Sequence, residues 1–349
     1  MRRLPEPLVH TVPAFTFEDG AAFAGAPVAY RTWGRLNAAA DNAVLVLHAL
    51  TGDTHADVWW GGLVGPGRAI DTDRFFVVCP NVIGSPYGTL SPLTVNPATA
   101  RSWGAAFPVP TIRDTVRLHR HVLDALGVRS VALATGGSMG GMQALEWAFE
   151  VGEDGAPYVR AVAPLAACGR HSAWCIGWSE AQRMAIRADA RWNGGDYTEQ
   201  PEAGLAAARA MAMVSYRTAE AFSIKHGRAA QAGSDAFAVE SYLRYQGAKL
   251  VARFDANCYL RITEMMDTHD LARGRGDYEA VVASITQPLL AVGIDSDVLY
   301  LAAEARELAA LAPRGTYREL ASPWGHDAFL IEFDALGAIL RDWMAEVEI

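Results

Sequence analysis

Val131-Ala-Leu-Ala-Thr-Gly-Gly-Ser-Met-Gly-Gly-Met-Gln-Ala-Leu-Glu-Trp-Ala148 is the stretch on which the fold turns. Val131 to Ala134 read as a short apolar strand, the glycines as a sharp turn, and a helical pattern follows Gly140. Gly136-x-Ser138-x-Gly140 between strand and helix is the arrangement of a nucleophile elbow. Such a turn crowds backbone against backbone, which is why glycines flank the serine. It lifts one hydroxyl, Ser138 Oγ, above the end of a sheet and aims the next N–H at the same point. The five-residue pattern alone is equally a small-residue connection. The flanking strand and helix give it chemical meaning: covalent acyl chemistry at Ser138.

Outward from the elbow, strand and helix patterns alternate. Val28–Trp33, Ala43–His48, Phe75–Cys79 and Val159–Leu165 read as strands, and Thr111–Leu126 as a helix stopped by Gly127. Ala43–His48 and Phe75–Cys79 are apolar without alternation, as in a parallel sheet covered on both faces. From about Cys168 to Arg275 helical segments replace strands: Ala173–Ala190, Gly204–Tyr216, Thr218–His226, Phe237–Lys249 and Ala256–Met266. Strands return at Pro288–Ile294 and Thr316–Leu320, with helices at Ala302–Leu311 and Ala328–Ala345. The expectation is an α/β fold with a mostly parallel central sheet. Residues 1–167 and 277–349 form its core, and residues 168–276 form a helical lid insertion over the serine.

The bulk numbers agree, since 51% hydrophobic and 20% charged residues over 349 positions describe a globular chain. A net charge of −9 argues against a nucleic-acid partner, because no basic stripe is available to release phosphate counterions. Anionic small molecules stay open, since a few local arginines outweigh a global field. Cys79, Cys168, Cys175 and Cys258 lack CxxC spacing and point to reduced thiols rather than a disulfide frame or a zinc site. The start, Met1-Arg-Arg-Leu-Pro-Glu-Pro7, lacks the apolar run of a signal peptide. No run approaches the roughly 18 apolar residues of a membrane span. A soluble cytoplasmic protein is expected.

An activated serine needs a base, and the base needs an orienting acid. On an elbow fold they follow in the order Ser, then Asp or Glu, then His. Val292-Gly-Ile-Asp-Ser-Asp297 puts two acids, Asp295 and Asp297, at the C-terminal end of a strand, where open α/β sheets build their sites. Ser322-Pro-Trp-Gly-His-Asp327 places His326 in the loop after the last strand. His119 and His121 lie within a helix, and His171 and His226 in the insertion, so they are weaker choices. The oxyanion hole needs two N–H donors. Met139, directly after the nucleophile, supplies one; Leu50, in His48-Ala-Leu-Thr-Gly-Asp53, supplies the other. His48 and His55 find no third ligand at metal spacing, so no metal is expected.

Together these blocks resemble the homoserine O-acyltransferases of methionine biosynthesis, most closely the homoserine O-acetyltransferase branch. The resemblance runs from about Tyr30 to Trp343. It rests on Tyr30-Arg-Thr-Trp-Gly34, the 48–53 and 136–147 blocks, Phe107-Pro-Val-Pro-Thr-Ile-Arg-Asp114, Trp192-Asn-Gly-Gly-Asp-Tyr197, Arg253-Phe-Asp-Ala-Asn257 and Gly325-His-Asp327. It implies an α/β-hydrolase fold and a ping-pong mechanism with acetyl-CoA as co-substrate and no bound cofactor. Ser138 would attack the thioester, His326 would take its proton, and Asp297 rather than Asp295 would orient His326. L-Homoserine would then enter, with its carboxylate on Arg209 and its ammonium on Asp327. Arg217 is the competing arginine, and Tyr216 lines the site. A homodimer built through the insertion is implied as well.

Transfer rather than hydrolysis requires an acyl-serine shielded from water and an acceptor held in attack geometry. The insertion supplies a cover, and Arg209 and Asp327 supply positioning that a plain esterase would not need. Asn81–Pro92 and Asp57-Val-Trp-Trp60 depart from the commoner family form. These loops offer no obvious unpaired arginine for a succinyl carboxylate, which favours acetyl. A succinyl donor, serine as acceptor, and an esterase of the same fold are the alternatives.

Overall fold

In the computed structural model, which describes residues 6–231, 233 and 235–349, eight strands form one sheet. They are β1 (Leu8–Thr16), β2 (Ala22–Trp33), β3 (Ala43–Leu47), β4 (Phe76–Pro80), β5 (Val131–Gly137), β6 (Val162–Leu165), β7 (Leu289–Ile294) and β8 (Gly315–Leu320). Their spatial order is β1-β2-β4-β3-β5-β6-β7-β8. β1 pairs antiparallel with β2 and β2 with β4; every other neighbouring pair is parallel. Every residue of β3, β4, β5, β6 and β7 is buried, which is why these segments read as unbroken Val, Leu and Ala runs.

β1 has no counterpart in the sequence reading. Its residues are mostly exposed, only Val12 and Phe15 reach the core, and Pro13 sits within it, as an edge strand tolerates. The early strand expected at Val28–Trp33 is the second half of the longer β2. The Val159 end of the next expected strand makes only a single bridge to Val131 before β6 begins.

Ten α-helices of six or more residues accompany the sheet among the described residues. In chain order they are α1 (Ile112–Ala125), α2 (Met139–Trp147), α3 (Ala173–Ala188), α4 (Glu202–Tyr216), α5 (Ala219–Lys225), α6 (Ala238–Val251), α7 (Ala256–Asp267), α8 (Tyr278–Ala283), α9 (Ala302–Leu311) and α10 (Phe333–Glu346). α1 starts where the Thr111 side chain accepts the Asp114 N–H and the Asp114 carboxylate accepts the Thr111 N–H, a reciprocal cap. One expected helix, Ala328–Ala345, is divided. Gly325–Leu330 form a 3-10 turn, Ile331 and Glu332 leave helical geometry, and α10 begins at Phe333. Glu332 is spent holding the histidine loop, accepting the Ser322 hydroxyl at 2.9 Å.

The helices between β6 and β7 bury their apolar faces on the C-terminal edge of the sheet. Ile186, Leu205, Leu250 and Tyr259 share one core with Leu50, Val82, Met139 and Met142. The helical layer therefore packs directly on the elbow and on the loop after β3. No helix among the described residues is long and apolar enough to cross a membrane. Residues 1–5, which begin the N-terminal stretch read above, lie outside the described residues.

Two predictions follow from packing and burial. A Cβ at Gly140 would lie 2.0 Å from the Leu47 carbonyl oxygen, whereas one at Gly177, on the exposed side of α3, would meet nothing within 4 Å. Gly140→Ala should cost about 3 kcal/mol or more, and Gly177→Ala should add roughly 0.5–1 kcal/mol; urea midpoints of the two variants measure both. The second concerns acid stability. His119 is wholly buried on α1, and burial pushes its pKa down to about 3. The unfolded chain takes up this proton near pH 6.5 and the folded chain does not, so stability falls as the pH drops from 6.5 toward 3. His119→Gln, which keeps a donor near Nε2, should flatten the loss of unfolding free energy between pH 6.5 and 5; an unchanged slope would sink the assignment.

Candidate active site

Ser138 stands between β5 and α2 at φ 58° and ψ −125°, a left-handed conformation that a residue with a Cβ adopts only under constraint. Three hydrogen bonds hold it. Its N–H donates to Leu165 O at 2.9 Å, and its carbonyl accepts from Gly141 N–H at 2.8 Å and Met142 N–H at 3.2 Å. The four surrounding glycines each answer a close approach. An added Cβ would lie 2.3 Å from Leu47 O at Gly136, 2.3 Å from the Phe329 ring at Gly137 and 2.5 Å from Ala167 Cβ at Gly141. Gly140, already described, completes the set. The serine itself is 6% exposed.

The Gly137–Phe329 contact seats the histidine loop on the elbow. Phe329 meets the His326 ring edge-on at 5.5 Å between centroids. Tyr300 and Tyr216 also flank the imidazole, at 5.0 and 5.7 Å. His326 Nδ1–H donates to Asp297 Oδ2 at 2.7 Å. Asp297 Oδ1 accepts the backbone N–H groups of Leu299 and Tyr300 at 2.8 and 3.0 Å. The carboxylate is thus oriented on both oxygens, and both side chains are buried. Asp295 serves elsewhere: its Oδ1 accepts the Ser322 N–H at 2.9 Å and pins the loop that carries the histidine. His326 Nε2, the far corner of the ring, is buried without a hydrogen-bond partner. A neutral imidazole with its Nδ1 proton fixed by a carboxylate is arranged to accept a proton at Nε2.

Met139 is the first residue of α2, so its N–H has no acceptor within the helix. Leu50 follows β3 by three residues, buried against Met139 and Met142 in the same core. On the lid side, the Arg209 guanidinium of α4 lies 5.7 Å from the Tyr216 ring centroid, and Tyr216 is the ring that faces His326. Burial pushes the Tyr216 hydroxyl up to about 12. Arg209 has no ion pair among the described residues. Asp327, expected to hold an ammonium, carries an ion pair: Arg217 Nη2 stands 3.0 Å from its Oδ2, and both side chains are mostly buried. The two arginines therefore divide, Arg217 to the acid and Arg209 unpaired.

Four residues have structural roles that the sequence reading does not assign. Tyr300 supplies both a ring behind His326 and an N–H to Asp297. Arg253 donates to Thr51 O at 2.8 Å and to Tyr87 Oη at 2.6 Å, tying the lid to the oxyanion loop. His48 and Asn81 form a buried pair at 2.9 Å beneath that loop. Tertiary approach makes each of them, and no local spacing announces it. His55 is occupied by Asp53 at 3.1 Å. Among the described residues no group of three or more His, Cys, Asp or Glu is placed to hold a metal ion.

Comparison with known proteins fits this geometry. A model of the alpha/beta hydrolase fold matches residues 42–333. The homoserine O-acetyltransferase of Salinibacter ruber is 58% identical over 341 residues, covering 97% of each chain. Among solved structures, esterase E22 superposes with a TM-score of 0.88 at 27% identity, covering 97% of this chain and 99% of that one. The homoserine O-acetyltransferase of Bacillus anthracis also gives 0.88, at 24% identity and 97% coverage of both, a likeness of fold. By sequence and by fold, the chain belongs to the homoserine O-acetyltransferases of the alpha/beta hydrolase fold.

Proposed function

We propose that the chain transfers an acetyl group from acetyl-CoA to the hydroxyl of L-homoserine by a ping-pong route through Ser138. His326 Nε2 takes the Ser138 proton as Oγ attacks the thioester carbonyl; the C–S bond breaks, and the proton passes to the departing thiolate. L-Homoserine then enters, its hydroxyl gives a proton to His326 and attacks the acyl carbon, and that proton returns to Ser138 Oγ as the ester bond breaks. Asp297 keeps the imidazole oriented and stabilises its charged form. The N–H groups of Leu50 and Met139 receive the negative oxygen in each half-reaction.

The observation that carries this reading is the unpaired Arg209 guanidinium, held against Tyr216 beside His326, with the Arg217–Asp327 pair on the same side. A half-buried cation without an anion is costly unless a ligand supplies one, and a guanidinium fork suits a carboxylate. An amino-acid alcohol brings that carboxylate, and its ammonium can share the Asp327 carboxylate with Arg217. Water needs neither contact. Exposed apolar side chains on the helical layer, Trp174 and Met184 on α3 and Tyr245 on α6, support a homodimer formed through it. The free, buried state of all four cysteines is in keeping with a cytoplasmic protein.

The test is a matrix of acetyl-CoA and succinyl-CoA against L-homoserine and L-serine, with thiol release and intact mass as readouts. Acetyl-CoA alone should add one acetyl group to the wild type and none to Ser138→Ala, and turnover should require L-homoserine. Rapid thiol release without any amino acid would instead assign the chain as an esterase. Arg209→Ala should leave acyl-enzyme formation intact while lowering kcat/KM for L-homoserine about 100-fold, the scale of a lost charged hydrogen-bond pair; an unchanged kcat/KM would remove Arg209 from the acceptor site.

A further inference from the structure

The Leu50 N–H belongs to the Ala49–Leu50 peptide, and the other end of that unit is tightly held. Ala49 O receives the Gly52 N–H at 2.8 Å and stands 2.9 Å from His48 Nδ1. In a trans peptide the C=O and N–H point in opposite directions, so pinning the oxygen fixes where the N–H aims. We propose that His48 is a positioning residue for the oxyanion hole, its Nδ1–H locking Ala49 O so that the Leu50 N–H faces the reacting carbonyl. The inference rests on the acyl-serine reading above and assigns a role to a residue that touches no substrate.

The tautomer this requires follows from the neighbours. Nε2 lies 3.3 Å from the Val82 N–H and 2.9 Å from Asn81 Oδ1. Ala49 O is only an acceptor and the Val82 N–H only a donor, and neither backbone group can turn around. They demand a proton on Nδ1 and a lone pair on Nε2. The Asn81 amide is the group that can rotate to present its nitrogen to Nε2, giving up the 3.2 Å bond that its Nδ2 otherwise donates to Thr89 Oγ1. Burial pushes the His48 pKa down, which keeps the ring singly protonated. The base of the network is rigid as well. Asn81 N–H donates to Ala29 O at 2.8 Å, and Asn81 O accepts from His119 Nε2–H and the Thr89 hydroxyl, each at 3.0 Å.

The loop is also shaped around the ring. An added Cβ at Gly52 would lie 2.8 Å from His48 Cβ and 3.1 Å from Nδ1. On the other side the Gln143 amide of α2 donates to His48 O and to Met139 O, both at 3.2 Å, joining the two oxyanion-donor segments. His48 therefore sits at the point where β3, the Asn81 loop and the nucleophile helix meet.

The test exploits side-chain geometry. Asparagine carries its amide nitrogen near the position of His Nδ1, and glutamine carries its own near Nε2. His48→Asn should hold turnover within about 5-fold of wild type, whereas His48→Gln should lose roughly 10- to 100-fold, short of the ~10²–10³ of a deleted oxyanion donor. The loss should fall on kcat in both half-reactions, with KM for L-homoserine steady to about 2-fold. Thermal midpoints are measured alongside, and p-nitrophenyl acetate hydrolysis reports the same hole independently of the natural substrates. Equal activity for Asn and Gln, a loss that tracks the thermal midpoint, or a loss confined to KM would overturn the proposal. If acetyl-CoA leaves no adduct on wild-type Ser138 but the Asn-over-Gln order holds with p-nitrophenyl acetate, the donor assignment fails and the role of His48 stands.

Discussion

Everything at the active end depends on how closely the first turn of α2 approaches the end of β3. Leu47 O lies where a Cβ on Gly136 or Gly140 would be, at 2.3 and 2.0 Å. Only glycine permits that approach, and the approach makes the β5–α2 turn tight enough to hold Ser138 at positive φ. Leu47 is also the last residue of β3, so the next residues, His48 to Leu50, run directly against the start of α2. Ser138 and the backbone N–H groups of Leu50 and Met139 therefore all descend from one backbone contact. The strain at Ser138, of order 1–3 kcal/mol, is carried by the surrounding parallel strands through the Leu165 carbonyl.

This explains why the elbow was readable from sequence while its support was not. Gly136, Gly137, Ser138, Gly140 and Gly141 are neighbours along the chain, and the buried strands announce themselves as continuous apolar runs. The order serine, acid, histidine is likewise a property of the chain. Spacing alone leaves Asp295 and Asp297 open and the resemblance favours Asp297; three dimensions give the physical reason, since one accepts the Ser322 N–H and the other accepts two backbone N–H groups and faces His326. β1 escapes notice because an edge strand with two core contacts has no hydrophobic pattern to display. The split before α10 is similar, since only the tertiary demand of the histidine loop draws Glu332 out of a helix.

The substrate side shows the same division. Arg209 and Tyr216 are seven positions apart on one helix and share a face through helical spacing, which a sequence displays. Arg217 and Asp327 are separated by 110 positions, and nothing local links them. Their ion pair alters the chemistry expected of Asp327. A lone carboxylate beside His326 would stabilise the protonated ring and compete with Asp297 for that role; bound by Arg217, it is neutralised and fixed. The lid's contribution is thus electrostatic as well as steric.

The likeness to esterase E22, as high by TM-score as that to the Bacillus anthracis transferase, shows why the fold alone does not decide where the acyl group goes. Both outcomes need the elbow, the oriented imidazole and the paired N–H donors. They part over the second nucleophile. Water arrives at high concentration with no group for a protein to hold, so transfer must win by positioning, and effective concentrations far above those of solution are available only to a bound acceptor. One ring, Tyr216, lies beside both the Arg209 guanidinium and His326. On the proposed reading, a carboxylate seated on Arg209 meets the ring that packs against His326, so acceptor binding and base orientation share a single contact. An esterase can dispense with that contact, whereas on the proposed reading this chain is built around it.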